Sequence, residues 1–299
     1  MDIPIRGIFT AIITPFDEQG NIDEVTLRKL IDFQIENGVD GIVPCGTTGE
    51  SPTLSHDEHN SVVRITIEQA NKRVPIIAGT GSNCTSEAIR LSKHAESAGA
   101  NAVLLVNPYY NKPTQEGLYL HFREIANAVT IPCVLYNIKS RTGVNLETDT
   151  LIRLCDACSN IVAVKEASGD IEQMKEVISR TRDNFSVLSG DDNMTVNLIQ
   201  KGGDGVISVA SNLIPREMVK MTHLAISGDI QGAYAMDRKL GRFFKALFLE
   251  TNPIPIKAAM AMSGLCLETY RLPMCPLSKK EYRKELETAL SELKAQKLI

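Results

Sequence analysis

One short unit recurs eight times in succession along the 299-residue chain: an apolar run, then a longer stretch whose apolar side chains return at helical spacing. The runs 7–14, 41–44, 74–78, 102–106, 132–136, 161–165, 185–189 and 205–209 read as strands. The first helical stretch, 24–37, carries Leu27, Leu30 and Ile31 on one face and Gly38 as its stop; the second opens at Ser55 and Glu58, the spacing of a capping box. Most of the runs lack polar alternation, which is how strands buried on both faces read. A helix between each strand and the next makes neighbouring strands parallel through right-handed crossovers, and eight such units close on themselves. The expected fold class is therefore α/β: a (β/α)8 TIM barrel over 1–225, with a C-terminal helical appendage over 226–299. Helical patterns in the appendage fall at about 229–249, 255–263 and 279–297, the last with capping-box spacing at Ser278 and Glu281. An open doubly wound sheet is the alternative.

Composition narrows the function classes. With 43% hydrophobic and 23% charged residues the chain can bury a sizeable core. A formal net charge of -4 and no dense Lys/Arg run argue against nucleic acid or an anionic membrane as the partner, since such binding neutralises phosphates. No leader and no apolar run of membrane-spanning length is present, so a cytoplasmic location is expected. Five of the seven cysteines, Cys45, Cys84, Cys133, Cys266 and Cys275, are scattered singly and read as reduced core thiols. Cys155 and Cys158 form a Cys-x-x-Cys without further zinc ligands nearby, so packing is expected there too. Neither a metal nor a cofactor is expected.

Barrel chemistry resides at the carboxyl ends of the strands. The run Ile161, Val162, Ala163, Val164 ends in Lys165. An amine at the mouth of an apolar barrel loses solvation, which favours its neutral, nucleophilic form. The alternative is a strand-end lysine snorkelling to water. Phosphate is disfavoured at the seventh strand, where Asp191 and Asp192 would repel it. What remains is a lysine, the tyrosines Tyr109, Tyr110 and Tyr136, and a loop, Gly46-Thr47-Thr48-Gly49, whose N–H groups suit a carboxylate. That inventory suits imine chemistry on a 2-oxo acid.

Four segments, 46–51, 107–110, 136–143 and 164–167, resemble in order the motifs of the pyruvate-dependent class I lyase and aldolase family, and the resemblance extends through 189–192, 252–257 and 271–273. It implies an imine between pyruvate and Lys165, a carboxylate site at Thr47 and Thr48, and substrate contacts at Gly190 and Ile207. Tyr136 would be the acid/base, relaying protons through Thr47 to Tyr110 of a neighbouring subunit. A phenol is a poor acid/base at neutral pH without such a route. Arg141 offers a planar fork to a second carboxylate, pointing to L-aspartate 4-semialdehyde as the partner of pyruvate, on the route to diaminopimelate and lysine. Lys139 stands where the family commonly has proline, and Pro52 where many relatives carry a smaller residue.

The resemblance also implies a homotetramer, a dimer of dimers, with Tyr110 inserted across the tight interface; tyrosine is favoured at interfaces. Ser51, His56, His59, Asn83, Glu87 and Tyr109 match positions that bind L-lysine as a feedback inhibitor in lysine-sensitive members. The bland alternatives for His56 and His59 are a solvated helical turn or a stray metal pair. For the whole protein they are an N-acetylneuraminate lyase-like or sugar-acid aldolase, and a catalytically silent barrel serving as a ligand sensor.

Overall fold

Each apolar run forms a strand, and the helices fall between them. A computed structural model describes residues 5–299; the first four residues of the expected 1–225 barrel lie outside the described residues. In order the barrel elements are β1 Gly7–Ala11, α1 Glu24–Glu36, β2 Gly41–Val43, α2 His56–Ala70, β3 Ile77–Gly79, α3 Thr85–Ala98, β4 Ala102–Val106 and α4 Gln115–Ala128. There follow β5 Cys133–Asn137, α5 Lys139–Thr142, α6 Thr148–Ala157, β6 Ile161–Glu166, α7 Ile171–Arg180, β7 Ser186–Ser189, α8 Thr195–Gln200, β8 Gly205–Ser208 and α9 Pro215–Ile226. After them come α10 Ile230–Ala246, α11 Ile254–Met262 and α12 Lys280–Ala295.

All eight strands are parallel, in the order β2-β1-β8-β7-β6-β5-β4-β3. The two ends of that row meet through the parallel bridge Ile42↔Ile76, with the Ile42 N–H donating to Pro75 O at 3.1 Å and the Gly79 N–H to Pro44 O at 2.9 Å. The sheet is therefore a closed barrel, which leaves no strand edge exposed. Alternate residues divide its two faces. Phe9, Val43, Leu104, Val134, Leu188 and Ile207 fill the interior, while Ile8, Ile42, Val103, Leu135, Val164 and Val206 lie under the helices. Burial on both faces is why the strands read as unbroken apolar runs.

Ser55 and Glu58 form the reciprocal capping box at the start of α2. The box expected at Ser278 and Glu281 does not form. α12 starts at Lys280 without a side-chain cap, because the Glu250 carboxylate beyond α10 takes both the Ser278 hydroxyl and the Ser278 N–H, the latter at 3.1 and 3.2 Å. The single turn α5 was not visible in the periodicity, and a 3-10 turn, Asp192–Met194, directly precedes the short α8. α10 packs on α9 and α12, and α11 is buried along almost its whole length. Among the cysteines the expected core placement fails for two: Cys84 and Cys275 are exposed, whereas Cys45, Cys133, Cys155 and Cys158 are buried. No helix among the described residues is long and apolar enough to cross a membrane.

Candidate active site

Strand β6 alternates Ala163 inward, Val164 outward and Lys165 inward, so the lysine points into the barrel at its carboxyl end. Lys165 is 5% exposed, and its Nζ has no hydrogen-bond partner among the described residues. Its neighbour in register on β5 is Tyr136, whose ring centroid lies 4.4 Å from Nζ. Burial pulls the Lys165 amine down to about 8, with Asp191 and Asp192 opposing the drop. A lysine in that position has a neutral fraction at neutral pH that an exposed lysine lacks.

Space for the lysine chain depends on Gly190, where a Cβ would lie 2.6 Å from the Ala167 Cβ and 3.1 Å from the Lys165 Cε. Beyond it stand the two carboxylates. Burial raises Asp191, with Lys165 acting against the rise. Asp192 is also raised by burial, and its Oδ2 accepts from the N–H groups of Val209 at 3.1 Å and Ala210 at 2.8 Å. The sequence marked these aspartates only as hostile to phosphate; in the structure their charge opposes the fall of the Lys165 amine without a direct ion pair to it. Ile207 is fully buried in the same interior layer as Tyr136 and Leu188.

The Tyr136 phenol is pushed above its ordinary range by burial, with Arg141 pulling down, Asp191 adding to the rise and the Thr47 side chain pulling down. At neutral pH it is a protonated donor. Thr47 and Thr48 sit in the loop after β2, which Cys45 and Glu50 turn through left-handed backbone, φ 55° and 52°. Three contacts from the C-terminal quarter hold that loop. The Asn252 Nδ2 donates to Thr48 Oγ1 at 3.0 Å, the Lys257 Nζ donates to Glu50 Oε1 at 2.5 Å, and the Arg271 Nη1 donates to Thr53 O at 3.0 Å. Arg141, on α5, donates from Nη2 to the Asn252 carbonyl at 2.9 Å. Lys139 occupies the first position of α5, where proline also fits, so the exchange leaves the turn that carries Arg141 intact.

A cavity of about 410 Å³ is lined by Thr47, Tyr136 and Arg141, and also by Ser51, His56, His59, Glu87 and Tyr109. Arg90, outside the lining, donates to His56 Nδ1 at 2.8 Å, which leaves the proton on Nε2, 2.7 Å from Glu87 Oε1. Hydrogen bonds from Ser82 and His56 hold the Glu87 carboxylate below its usual range, and burial beside Glu87 raises the Tyr109 phenol. His59 donates from Nε2 to Gly79 O at 2.7 Å; its Nδ1 is buried and unpartnered. Asn83 is not part of the lining; its carbonyl accepts from Asn111 Nδ2 at 2.9 Å. Tyr110 lies away from this cavity, 89% exposed with φ 73°.

The model of the Dihydrodipicolinate synthetase family matches residues 4–293. The chain belongs to that family. It is 56% identical, over 90% of its length and 92% of the relative's, to a 4-hydroxy-tetrahydrodipicolinate synthase of Syntrophus aciditrophicus. Among solved structures it superposes with a TM-score of 0.96 on the synthase of the thermoacidophilic methanotroph Methylacidiphilum fumariolicum SolV, at 47% identity and covering 98% of each chain. With the lysine-bound structure from Cyanidioschyzon merolae the TM-score is 0.94 and the identity 39%, covering 98% of this chain and 99% of that one.

In this dihydrodipicolinate synthetase family member Thr47, Tyr136 and Arg141 share the lining of one cavity, Lys165 stands beside Tyr136, and Gly190 lies against the Lys165 chain. Sequence reasoning gave Asn252, Lys257 and Arg271 no role beyond family resemblance. One signal was available for Lys257: a lone lysine in an otherwise apolar helix needs a buried anion.

Proposed function

We propose that this chain is a 4-hydroxy-tetrahydrodipicolinate synthase of diaminopimelate and lysine biosynthesis, joining pyruvate to L-aspartate 4-semialdehyde through an imine on Lys165. The single observation that carries this reading is the buried, unpartnered Lys165 amine beside the protonated Tyr136 phenol. Neutral Lys165 attacks C2 of pyruvate, and water leaves as the imine forms. Loss of a methyl proton gives an enamine, whose carbon attacks the aldehyde while a proton reaches the new alkoxide. The amino group of the second substrate then attacks C2, closing the ring and releasing Lys165. Tyr136 delivers and removes these protons through Thr47, and Thr48 receives the pyruvate carboxylate. Arg141 faces the second carboxylate, with Gly190 and Ile207 shaping the pocket. The catalytic part is the barrel, 1–225, with the appendage, 226–299, in support, and a cytoplasmic location fits this metabolic role. Initial rates of the pyruvate-loaded enzyme with aspartate semialdehyde and with N-acetylmannosamine test the reading; turnover of the second alone would replace it with a sialic-acid lyase activity.

Only the neutral Lys165 amine attacks, so borohydride trapping by pyruvate should rise about tenfold per pH unit below about 8 and level off above it. An ordinary exposed lysine would keep rising towards pH of about 10.

The cavity lined by His56, Glu87 and Tyr109 supports L-lysine as an inhibitor, since Glu87 offers a carboxylate to an ammonium. Millimolar L-lysine is expected to lower the initial rate at saturating pyruvate, and Glu87→Gln to remove that effect. An unchanged parental rate, with no heat of binding, rules it out. The exposed Tyr110 ring supports a second subunit completing each site, in a tetramer built as a dimer of dimers. Mixed Tyr110→Phe and Lys165→Ala chains should then regain activity that neither has alone, whereas a fully active monomer in sedimentation would exclude the arrangement.

A further inference from the structure

We propose that Asn252, in the segment between α10 and α11, is a positioning residue that sets both carboxylate-binding groups of the site at once. The inference rests on the assignment of Thr48 and Arg141 to the two substrates. Asn252 is 5% exposed and reaches across 204 residues of sequence to donate from Nδ2 to Thr48 Oγ1 at 3.0 Å. A hydroxyl has one hydrogen and two lone pairs. By occupying a lone pair, the Asn252 amide fixes the oxygen and leaves the Thr48 hydrogen free to meet an anion. The main-chain carbonyl of the same residue accepts from Arg141 Nη2 at 2.9 Å, which holds one arm of the guanidinium and leaves the other donors to the substrate. The Asn252 Oδ1 is buried without a partner, so the amide has no competing tie that would explain its place.

Two neighbours make the arrangement rigid enough to act. Lys257, one turn into α11, is bound to Glu50 at 2.5 Å with both side chains closed to water, and the Arg271 N–H lies 3.4 Å from the other Glu50 oxygen. The loop after β2 is thereby clamped two residues beyond Thr48. The appendage is then part of the substrate site as well as packing around the barrel.

The chemistry separates this role from a merely structural one through two substitutions. Asn252→Ala removes the donor and lets the Thr48 hydroxyl rotate; the KM for pyruvate should rise about five- to tenfold, the loss of one neutral hydrogen bond. Asn252→Asp replaces the donor by an acceptor of nearly the same shape. The Thr48 hydrogen would then turn towards the new carboxylate, whose charge also repels pyruvate, so the KM should rise more than for Asn252→Ala. A role confined to packing predicts the reverse order, because the aspartate keeps the volume.

The test is steady-state kinetics of the full-length protein carrying Asn252→Ala, Asn252→Asp, Thr48→Val and the double variant Asn252→Ala/Thr48→Val, each paired with borohydride trapping by pyruvate. The expected result is a trapped imine in every variant, a larger KM for Asn252→Asp than for Asn252→Ala, and a double variant no worse than Thr48→Val alone. Equal or reversed KM values for the two Asn252 variants, or effects of Asn252→Ala and Thr48→Val that simply multiply, overturn the proposal. Absence of trapping in the parent enzyme would instead refute the imine reading on which it rests.

Discussion

Replacing Lys165 with alanine is expected to lower kcat on the order of 10⁴-fold or more while leaving a folded barrel. The loss is large because the reaction passes through a bond to this nitrogen, and no other described amine stands beside Tyr136 at the barrel mouth. Lys257, the other buried lysine, is committed to Glu50 at 2.5 Å. Lys165→Arg should be just as inactive: a guanidinium stays charged and offers no lone pair for attack. Folding should change little, since the Lys165 Nζ makes no hydrogen bond whose loss would strand a partner, and burial disfavours its charge. A thermal melt within a few degrees of the parent, alongside the kinetics, checks that the defect is chemical. Turnover reduced less than about tenfold would mean that another group carries the reaction.

The second large effect concerns stability. Glu50→Ala should destabilise the protein by about 3–5 kcal/mol, because Lys257 would be left as a buried charge without its partner. The side chains are 1% and 0% exposed, so water cannot replace the lost carboxylate. For a chain of this size that corresponds to a drop in Tm of about 5–10 °C. The double variant Glu50→Gln/Lys257→Met removes both charges and should recover most of the loss, as uncharged replacements of buried pairs often do. Scanning calorimetry of the single and double variants distinguishes the cases. A single variant that melts with the parent would mean that the pair is not closed to solvent. Glu50→Ala should also raise the KM for pyruvate, since Glu50 lies two residues beyond Thr48 and anchors the same loop.

The barrel was legible because its cause is local. Strands covered on both faces must be apolar throughout, and helices covered on one face must be apolar at every third or fourth residue, so both periods stand in the sequence. Lys165 was legible for the same reason, as a lysine closing an apolar run has a fixed place at a barrel mouth. Ser278 shows where local rules fail: its spacing to Glu281 suits a capping box, yet Glu250, distant in sequence, competes for the same hydroxyl and wins. Asn252 and Thr48, or Lys257 and Glu50, meet across more than 200 positions, and no periodicity encodes such a meeting. α5 was missed because a four-residue turn is shorter than one helical repeat can reveal. Tyr110 stands apart, for its expected partner is a second copy of the chain.

The imine on Lys165 is tested most directly by borohydride reduction followed by peptide mapping, which reads the nitrogen that bonds to pyruvate. The parent protein should carry one reduced adduct, on the peptide containing Lys165, and Lys165→Ala none. An adduct on Lys139 or Lys257, or no adduct at all with pyruvate in excess, would contradict it.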